Sequence, residues 1–270
     1  ESMSTIPRGG DRPSPNPTIM THQPEVFITM GQTSENVART HGVSREEQDA
    51  FAVQSHAKAA AAIEAGRFVD EIVPVDTRVY VDGKWHDQTI DIDDGVRVGT
   101  NAQALGKLRA VFSKNGTTTA GNSSQVSDGA AATLVMSRAK AEEAGLQVLG
   151  VMRSYSVIGV DPTMMGIGPA EAIPSALSKA GLQVEDIDLF EINEAFASQA
   201  VYCVRKLGID PERVNPNGGA IALGHPLGCT GAKLTATLLH EMKRRKSRYG
   251  VVSMCIGGGM GAAAVFERES

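Results

Sequence analysis

Apolar and polar positions follow a helical spacing after an opening that is rich in proline. Residues 7–24 contain five prolines and few large apolar side chains, which predicts an irregular surface segment. Thr33 and the two residues after it predict the start of a helix. Ser44 and Glu47 have the spacing of a capping box, so they predict the start of a long alanine-rich helix that ends at Gly66.

The pattern changes twice further along the chain. Residues 68–98 contain short β-type runs with turn signals at Asp82-Gly83 and Asp94-Gly95, which predicts a small α+β unit. From about Gly116, β-type runs alternate with helical ones. The predicted strands are residues 131–136, 147–157, 186–192, 248–255 and 261–267. The predicted helices between them are residues 169–181, 195–207 and 230–243.

This alternation predicts the fold class. Strands that alternate with helices predict a sheet packed between helical layers. The last two strands are joined only by residues 256–260, which is too short for a crossover helix, so they predict an antiparallel hairpin. We therefore expect an α/β protein with a mixed five-stranded sheet between helices and a smaller α+β unit before it.

Composition and charge narrow the range of partners. The 270 residues fit one large domain or two ordinary ones. The 26 basic and 31 acidic residues give a net charge of −5, which offers no general electrostatic footprint for nucleic acid. Three cysteines without C-x-x-C spacing argue against a disulfide framework and against a zinc site. No run reaches the roughly 18 consecutive apolar residues of a membrane span. The sequence thus predicts no nucleic-acid partner, no metal and no membrane span.

Asn193 is the first candidate for chemistry. It ends an apolar predicted strand, and a helix is predicted to begin directly after it. Side chains at the carboxyl ends of strands face the crevice in which open α/β folds bind ligands. Asn is also among the best helix-capping residues, so capping is the alternative interpretation.

His225 lies in a glycine-rich segment just before a predicted helix. The positive end of a helix dipole disfavours protonation of a nearby imidazole, which keeps a neutral ring available as a base. A structural histidine is one alternative. A dinucleotide-binding loop is another, although the glycine spacing departs from the G-x-G-x-x-G fingerprint.

Cys255 ends another apolar strand and precedes a run of three glycines. Successive backbone N–H groups in such a run can turn toward one point and bind an oxyanion. A buried cysteine is otherwise an inert small hydrophobe. A cysteine, a neutral histidine and an amide together favour thiol and acyl chemistry over metal-dependent hydrolysis or nicotinamide redox chemistry. A Cys-His-Asn protease fits less well, because Cys255 precedes a hairpin and not a helix.

Three segments resemble the C-terminal signature blocks of the thiolases. They are Asn-Glu-Ala-Phe at 193–196, Gly-His-Pro-Leu-Gly at 224–228 and Cys-Ile-Gly-Gly-Gly-Met-Gly at 255–261. When Thr-Ala-Gly-Asn-Ser-Ser at 119–124 is added, the resemblance covers nearly the whole chain. The amino-acid sequence of the C-terminal blocks is most similar to that of the peroxisomal 3-ketoacyl-CoA thiolases. The resemblance implies two similar core domains of mixed sheet and helices, with a loop domain inserted in the first.

The resemblance also implies a domain division. Residues 1–8 would be the end of a truncated N-terminal core domain, residues 9–115 the loop domain and residues 116–270 the C-terminal core domain. Most of the first core domain, including the block that carries the nucleophilic cysteine, is expected to be absent from this chain. None of the three cysteines matches that block, so the resemblance assigns none of them as the nucleophile.

The family's catalytic roles transfer to matching positions. By resemblance, His225 deprotonates the nucleophile and helps to bind the thioester oxygen. Cys255 resembles the acid/base cysteine that moves a proton to and from the substrate α carbon. Asn193 would hold a water in a first oxyanion hole, and the Gly257 amide would contribute to a second.

Substrate-binding roles transfer in the same way. Ser124 resembles the serine that contacts pantetheine, and Arg97 resembles the loop-domain arginine at the adenine end of coenzyme A. Met165 and Phe196 resemble walls of the acyl pocket, and Met30 is a further candidate for that pocket. Plain core packing stays an alternative for Met165 and Phe196.

The resemblance implies the thiolytic cleavage of 3-ketoacyl-CoA to acetyl-CoA and a shortened acyl-CoA, by ping-pong acyl transfer in fatty acid β-oxidation. Coenzyme A would be a co-substrate, and no other cofactor is expected. The expected assembly is a homodimer or a dimer of dimers, and the expected compartment is the peroxisome, with the mitochondrion and the cytosol as alternatives. Two other functions stay open: a noncatalytic CoA-binding fragment and a biosynthetic acetoacetyl-CoA thiolase.

Overall fold

A computed structural model describes residues 1–6 and 10–269 of the chain. The helices are Pro17–His22 (α1), Met30–His41 (α2), Arg45–Glu64 (α3), Ala102–Gly106 (α4), Arg138–Glu143 (α5), Gly168–Ala180 (α6), Ala197–Leu207 (α7), Ala220–Leu223 (α8) and Thr230–Arg245 (α9). The strands are Val75–Val81 (β1), Lys84–Ile90 (β2), Gly150–Gly159 (β3), Leu189–Ile192 (β4), Tyr249–Ile256 (β5) and Met260–Arg268 (β6). The predicted domain boundary between residues 8 and 9 lies outside the described residues.

The N-terminal helices are set by capping side chains. Ser44 and Glu47 form the predicted capping box of α3. α2 begins earlier than the sequence predicted, because a capping box between Thr29 and Gln32 starts it at Met30. The proline-rich opening is also more regular than predicted, since it contains α1, which Asn16 caps.

β1 and β2 form an isolated antiparallel hairpin. The predicted turn at Asp82 and Gly83 is confirmed: both residues have positive φ, 50° and 78°. Two consecutive left-handed residues match the right-handed twist of the flanking strands, which is why Asp-Gly is favoured at such turns. Every β2 residue is exposed, so the hairpin projects from the part of the chain that the structure describes.

The main sheet is mixed, as predicted, with the strand order β3-β6-β5-β4. β4 and β5 run parallel, whereas β6 runs antiparallel to both β3 and β5. The predicted terminal hairpin is therefore confirmed as β5–β6. The parallel pair brings the carboxyl ends of β4 and β5 to one edge of the sheet, which is the edge where Asn193 and Cys255 lie.

The prediction of five strands is wrong, because the described residues form a main sheet of four strands. Residues 131–136 were predicted as a strand from their apolar run, yet they form no ladder, and Leu134 and Val135 are 77% and 83% exposed. A segment with a β-type sequence forms a strand only where a neighbouring strand supplies hydrogen-bond partners. On its other side, β4 has only a single parallel bridge, between Phe190 and Val214. The next residue, Asn215, uses its side-chain amide in place of a strand: its Oδ1 accepts from Ile192 N–H and its Nδ2 donates to Ile192 O.

Two helical layers cover the two faces of this sheet. Successive β4 residues, Leu189 and Phe190, are both buried but belong to different apolar clusters, because strand side chains alternate between faces. The buried residues on the α6 side include Ile173, Leu177, Phe190, Val251 and Val265. Those on the α9 side include Leu189, Leu234, Leu238, Met242 and Val252. Burying each large side chain contributes roughly 1.5–3 kcal/mol, so the two clusters hold the three layers together.

α2 and α3 pack against the C-terminal half through buried polar contacts. Ser34 of α2 bonds Thr118 and Ser198 through its hydroxyl, at 2.7 and 2.8 Å. The Asn36 amide donates to Thr163 O at 3.0 Å. These contacts explain why the sequence predicted the start of α2 too far along the chain. Residues 33–35 look like a helix cap, but they lie inside α2 and are buried. No helix of the described residues is long and apolar enough to cross a membrane.

Candidate active site

His225 is held from three sides. Its backbone N–H donates to Ser127 Oγ at 3.1 Å, its Nδ1 lies 2.6 Å from Thr230 Oγ1, and its Nε2 lies 3.2 Å from Asn193 Nδ2. The preceding residue, Gly224, has φ of 84°, and a Cβ there would crowd Ser127. The glycine therefore lets the chain turn closely past Ser127 and point the ring at Asn193.

Asn193 continues β4 toward the same edge. Its backbone N–H donates to Ser253 O at 2.9 Å, which extends the parallel ladder by one residue beyond β4. Its side chain is fully buried, and its Oδ1 has no hydrogen-bond partner among the described residues. The capping interpretation is wrong, because the residue that precedes α7 as its N-cap is Phe196. The amide is thus available to the ring of His225.

Cys255 lies in a small apolar cluster at the end of β5. The cluster also contains Met165, Ala195 and Phe196, and Met30 packs against it. Burial raises the pKa of the Cys255 thiol to about 12, so the thiol is neutral at physiological pH. A neutral thiol beside an apolar wall can give a proton to a carbon that has become negative, but it is a poor nucleophile.

The glycine run after Cys255 forms the β5–β6 turn. Gly258 and Gly259 both have φ of 88°, a conformation that other residues rarely adopt. Gly257 is exposed, and a Cβ at this position would lie 3.4 Å from Met30 Sδ. The turn therefore presents exposed backbone next to the cluster that holds Cys255.

Of the two residues predicted to bind the coenzyme, the structure brings only one to this site. The Ser124 backbone N–H donates to Ala195 O at 3.0 Å, which places Ser124 beside the segment between Asn193 and Phe196. Arg97 has an exposed side chain, and its backbone N–H donates to His56 Nδ1 at 3.2 Å. Among the described contacts, none joins Arg97 to another predicted site residue.

Glu194 is a site residue that the sequence reasoning missed. It is almost fully buried and accepts hydrogen bonds from Ser55 Oγ at 2.6 Å, Asn215 Nδ2 at 2.7 Å and the Ile221 N–H at 3.2 Å. Burial raises the pKa of its carboxyl, and these hydrogen bonds partly offset the rise. Since Ile221 belongs to the short helix before His225, the carboxyl ties the end of β4 to the segment that carries the histidine.

Thr230 and Ser127 were also missed, because each acts through a side chain that meets His225 only in the folded chain. A signal existed for Glu194: an acid two residues after an apolar strand, next to Asn193. Among the described residues, no group of three or more His, Cys, Asp or Glu side chains is placed to hold a metal ion.

A three-layer α/β fold with a mixed sheet, whose parallel strands end in an Asn–His contact and a buried thiol, defines a thiolase-like protein. The sequence model described as "Thiolase, N-terminal domain" matches residues 17–139, and "Thiolase, C-terminal domain" matches residues 146–268. The chain belongs to the thiolase family. The two matches meet between residues 139 and 146, whereas the predicted boundary lies between residues 115 and 116.

Relatives with known names are similar over nearly the whole chain. The 3-ketoacyl-CoA thiolase of Bacillus subtilis is 58% identical over 99% of this chain and 70% of its own length. Peroxisomal 3-ketoacyl-CoA thiolase 2 of Arabidopsis thaliana is 61% identical over 99% of this chain, and the match spans 59% of that protein. The chain therefore spans about three fifths of this plant relative.

Solved structures show the same fold. A crystal structure of human mitochondrial 3-ketoacyl-CoA thiolase matches 100% of this chain and 70% of its own, with a TM-score of 0.85 and 39% identity. A crystal structure described as that thiolase in complex with CoA matches 91% of this chain, with a TM-score of 0.81 and 42% identity. The predicted fold class, an α/β thiolase-like core with a mixed sheet, is confirmed.

Proposed function

We propose that this chain forms part of an enzyme that cleaves 3-ketoacyl-CoA with coenzyme A, giving acetyl-CoA and a shortened acyl-CoA. One observation carries the proposal: His225 Nε2 lies beside Asn193 Nδ2 at the sheet edge where Cys255, the last residue but one of β5, also lies. A base, an amide and a neutral thiol at one edge suit acyl transfer through a covalent intermediate. The family membership and the names of the relatives support the same reaction.

In the first half-reaction, His225 takes the proton of the nucleophilic thiol, which is not assigned to a cysteine of this chain. The thiolate attacks the 3-keto carbon, and the bond between the α and β carbons breaks. The electron pair passes to the enolate of acetyl-CoA, and Cys255 Sγ–H protonates the α carbon. In the second half-reaction, the Cys255 thiolate takes the proton of the coenzyme A thiol and so regains its neutral form. The resulting coenzyme A thiolate attacks the acyl-enzyme carbonyl, the bond between the acyl group and the enzyme sulfur breaks, and the shortened acyl-CoA leaves. The nucleophilic thiolate that is released takes back its proton from His225.

Oxyanion stabilisation is part of the same proposal. The Asn193 side chain holds a water that, together with His225, donates to the thioester oxygen as it becomes the enolate oxygen. The Gly257 N–H, exposed at the β5–β6 turn, faces the oxygen of the tetrahedral intermediate. Preorganised donors of this kind commonly contribute 10²- to 10³-fold each to turnover.

Substrate binding is proposed for the remaining predicted residues. Met165, Phe196 and Met30 line the acyl group, which is supported by their common cluster with Cys255. Ser124 contacts the pantetheine arm of coenzyme A, and Arg97 contacts its adenine end. Coenzyme A serves as a co-substrate, without another cofactor.

We propose that the protein assembles as a homodimer or a dimer of dimers. We also propose that it acts in the peroxisome, which is the compartment named for the plant relative. The proposed domain limits are residues 1–8, 9–115 and 116–270. Limited proteolysis with mass analysis of the fragments tests these limits, because linkers between domains are cleaved first.

The direct test combines two measurements on one purified sample. Intact mass is measured together with thiolysis of a 3-ketoacyl-CoA, which is followed by loss of the magnesium-enolate absorbance. Turnover supports the proposal. A sample that binds coenzyme A without turnover supports the noncatalytic alternative. Thiolysis that is confined to acetoacetyl-CoA, with none of longer 3-ketoacyl-CoA substrates, supports a biosynthetic enzyme.

His225→Ala tests the assigned base. We expect thiolysis to fall by about 10²- to 10⁴-fold, because that is the usual contribution of a positioned general base. Binding of coenzyme A, measured by calorimetry, should change little. Normal turnover by this variant would contradict the assignment of His225.

A further inference from the structure

The His225 ring lies between two polar side chains whose hydrogen-bonding capacity differs. Nδ1 lies 2.6 Å from Thr230 Oγ1, and Nε2 lies 3.2 Å from Asn193 Nδ2. A neutral imidazole carries one proton, so one ring nitrogen donates and the other accepts. Which nitrogen holds the proton decides whether the nitrogen facing Asn193 can act as a base.

Thr230 decides this question through its single hydroxyl proton. Thr230 Oγ1 lies 2.9 Å from Pro226 O, and a carbonyl oxygen can only accept. The hydroxyl therefore donates to Pro226 O, and only its lone pairs are left for His225. It follows that His225 Nδ1 carries the proton and donates to Thr230 Oγ1.

The Asn193 side chain agrees with this tautomer. With the proton on Nδ1, the neutral ring presents a lone pair at Nε2, and the Asn193 amide N–H donates into it. The opposite amide orientation would place the Asn193 oxygen against that lone pair, which is unfavourable. The Asn193 oxygen instead faces away and has no partner among the described residues.

We infer that Thr230 is a positioning residue that holds His225 in the Nδ1–H tautomer, through its own hydrogen bond to Pro226 O. Thr230 is buried, with 2% of its surface exposed, and it begins α9. The rigid first turn of α9 thus sets the proton position on a ring that lies in the loop before it. The catalytic meaning of this tautomer rests on the proposed function, whereas the tautomer itself does not.

The tautomer is measured directly by NMR of the protein labelled with [15N]histidine. The sequence contains six histidines, and the His225 signals are those missing from a His225→Gln variant. At a pH where the ring is neutral, we expect a protonated Nδ1 and an unprotonated Nε2 in the wild type. Thr230→Val removes the acceptor while keeping the shape of the side chain, so its spectrum should show a mixture of both tautomers.

Activity gives an independent readout. In Thr230→Val we expect kcat/KM for thiolysis to fall about tenfold, the effect of losing one neutral hydrogen bond, with the loss in kcat and not in KM. Thr230→Ser keeps the hydroxyl and should restore the wild-type tautomer and most of the activity. Thr235→Val is the matched control, because Thr235 Oγ1 also donates to the carbonyl four residues earlier, Gly231 O, at 2.8 Å, without touching His225.

Two results would overturn the inference. One is a wild-type spectrum with the proton on Nε2, which decides the matter even if a variant fails to fold. The other is a Thr230→Val variant that loses activity with an unchanged tautomer, or that behaves like Thr235→Val in both measurements. If the wild type shows the expected tautomer but no thiolysis, the proposed function fails and the positioning role of Thr230 stands.

Discussion

At the scale of single residues, Cys255 combines a neutral thiol with an apolar wall. Burial raises the pKa of this thiol to about 12, so it keeps its proton throughout the range in which the protein is handled. That state suits proton donation to a carbon and disfavours nucleophilic attack. Cys255 is therefore expected to act on the substrate α proton and not to carry the acyl group.

Cys255→Ser separates these two roles. We expect exchange of the substrate α proton to fall by about 10²-fold or more, since the hydroxyl is a much weaker acid than the thiol. Formation of the acyl-enzyme, measured by mass after mixing with an acyl-CoA, should fall much less. Equal losses in the two half-reactions would contradict a separate role for Cys255.

Glu194 should matter for stability through its acceptor capacity. Three donors face its carboxyl: the Ser55 hydroxyl, the Asn215 amide and the Ile221 N–H. Glu194→Gln replaces one acceptor oxygen by a donor group, so at least one of these contacts becomes repulsive. We expect the free energy of unfolding to fall by about 1–3 kcal/mol, measured by urea denaturation.

The exposed Glu185 provides the matched control, because it precedes the same strand and has an exposed side chain. Glu185→Gln should change the free energy of unfolding by less than about 0.5 kcal/mol. Equal stability of the two variants would mean that the Glu194 contacts contribute nothing net.

The sequence points to the proposed reactive residues of this site more clearly than to their supports. Asn193, His225 and Cys255 stand out because each is a polar or reactive residue where an apolar strand or a glycine-rich segment ends. Ser127 and Thr230 resemble any loop or helix-start residue in the sequence. Ser127 meets His225 across 98 residues of chain, a proximity that only the folded sheet creates.

At the scale of elements, the β5–β6 turn depends on two glycines in different ways. Gly258 and Gly259 share a φ of 88°, but a Cβ at Gly258 meets nothing within 4 Å. A Cβ at Gly259 would overlap the Val160 carbonyl and lie 2.7 Å from Pro162 N. Backbone strain is therefore common to both positions, whereas steric overlap is confined to Gly259.

Gly259→Ala should consequently destabilise the protein more than Gly258→Ala. Strain in the left-handed region costs roughly 1–2 kcal/mol at either position, and Gly259→Ala adds the displacement of backbone that cannot rotate away. The comparison of urea midpoints of the two variants checks this. If Gly258→Ala is as destabilising as Gly259→Ala, the close approach to Val160 has no energetic weight.

Elements with local start and stop signals could be predicted from the sequence. α3 begins at its capping box at Ser44, and α7 ends before Gly208, which has the left-handed conformation typical of a C-terminal cap. The structure of residues 131–136 could not be predicted from local signals of this kind. Their apolar run fits a strand, but whether a strand forms depends on a partner that lies elsewhere in the chain.

At the scale of the whole molecule, Glu71 links the segment after α3 to α9. Its carboxyl accepts a hydrogen bond from Thr237 Oγ1 at 3.0 Å. Burial raises its pKa from 4.5 to about 7; Thr237 and Lys233 oppose the rise, and Asp93 and Glu241 add to it. The folded protein therefore holds this proton more tightly than the unfolded chain does.

The sign of the pH dependence follows from that difference. The stabilisation from the protonated Glu71 is fully present below about pH 4.5 and is lost as the pH rises toward 7. Glu71→Gln keeps an acceptor for Thr237 without titrating, so its stability should fall less between pH 5 and 8, by a difference of about 1–2 kcal/mol. Thermal unfolding at several pH values measures this difference, with Glu64→Gln, at an exposed position, as the control. If stability changes with pH in the same way in the wild type, Glu71→Gln and Glu64→Gln, then Glu71 does not contribute to the pH dependence.

The supports of His225 also determine when the site can exist during folding. Ser127 and Asn193 contact His225 across 98 and 32 residues of chain, and α7, α8 and α9 separate β4 from its parallel partner β5 in the sequence. Contacts of such long sequence separation form late, because the entropy of closing each loop is lost before the contact compensates it. A refolding chain will thus regain its helices well before it regains an ordered histidine.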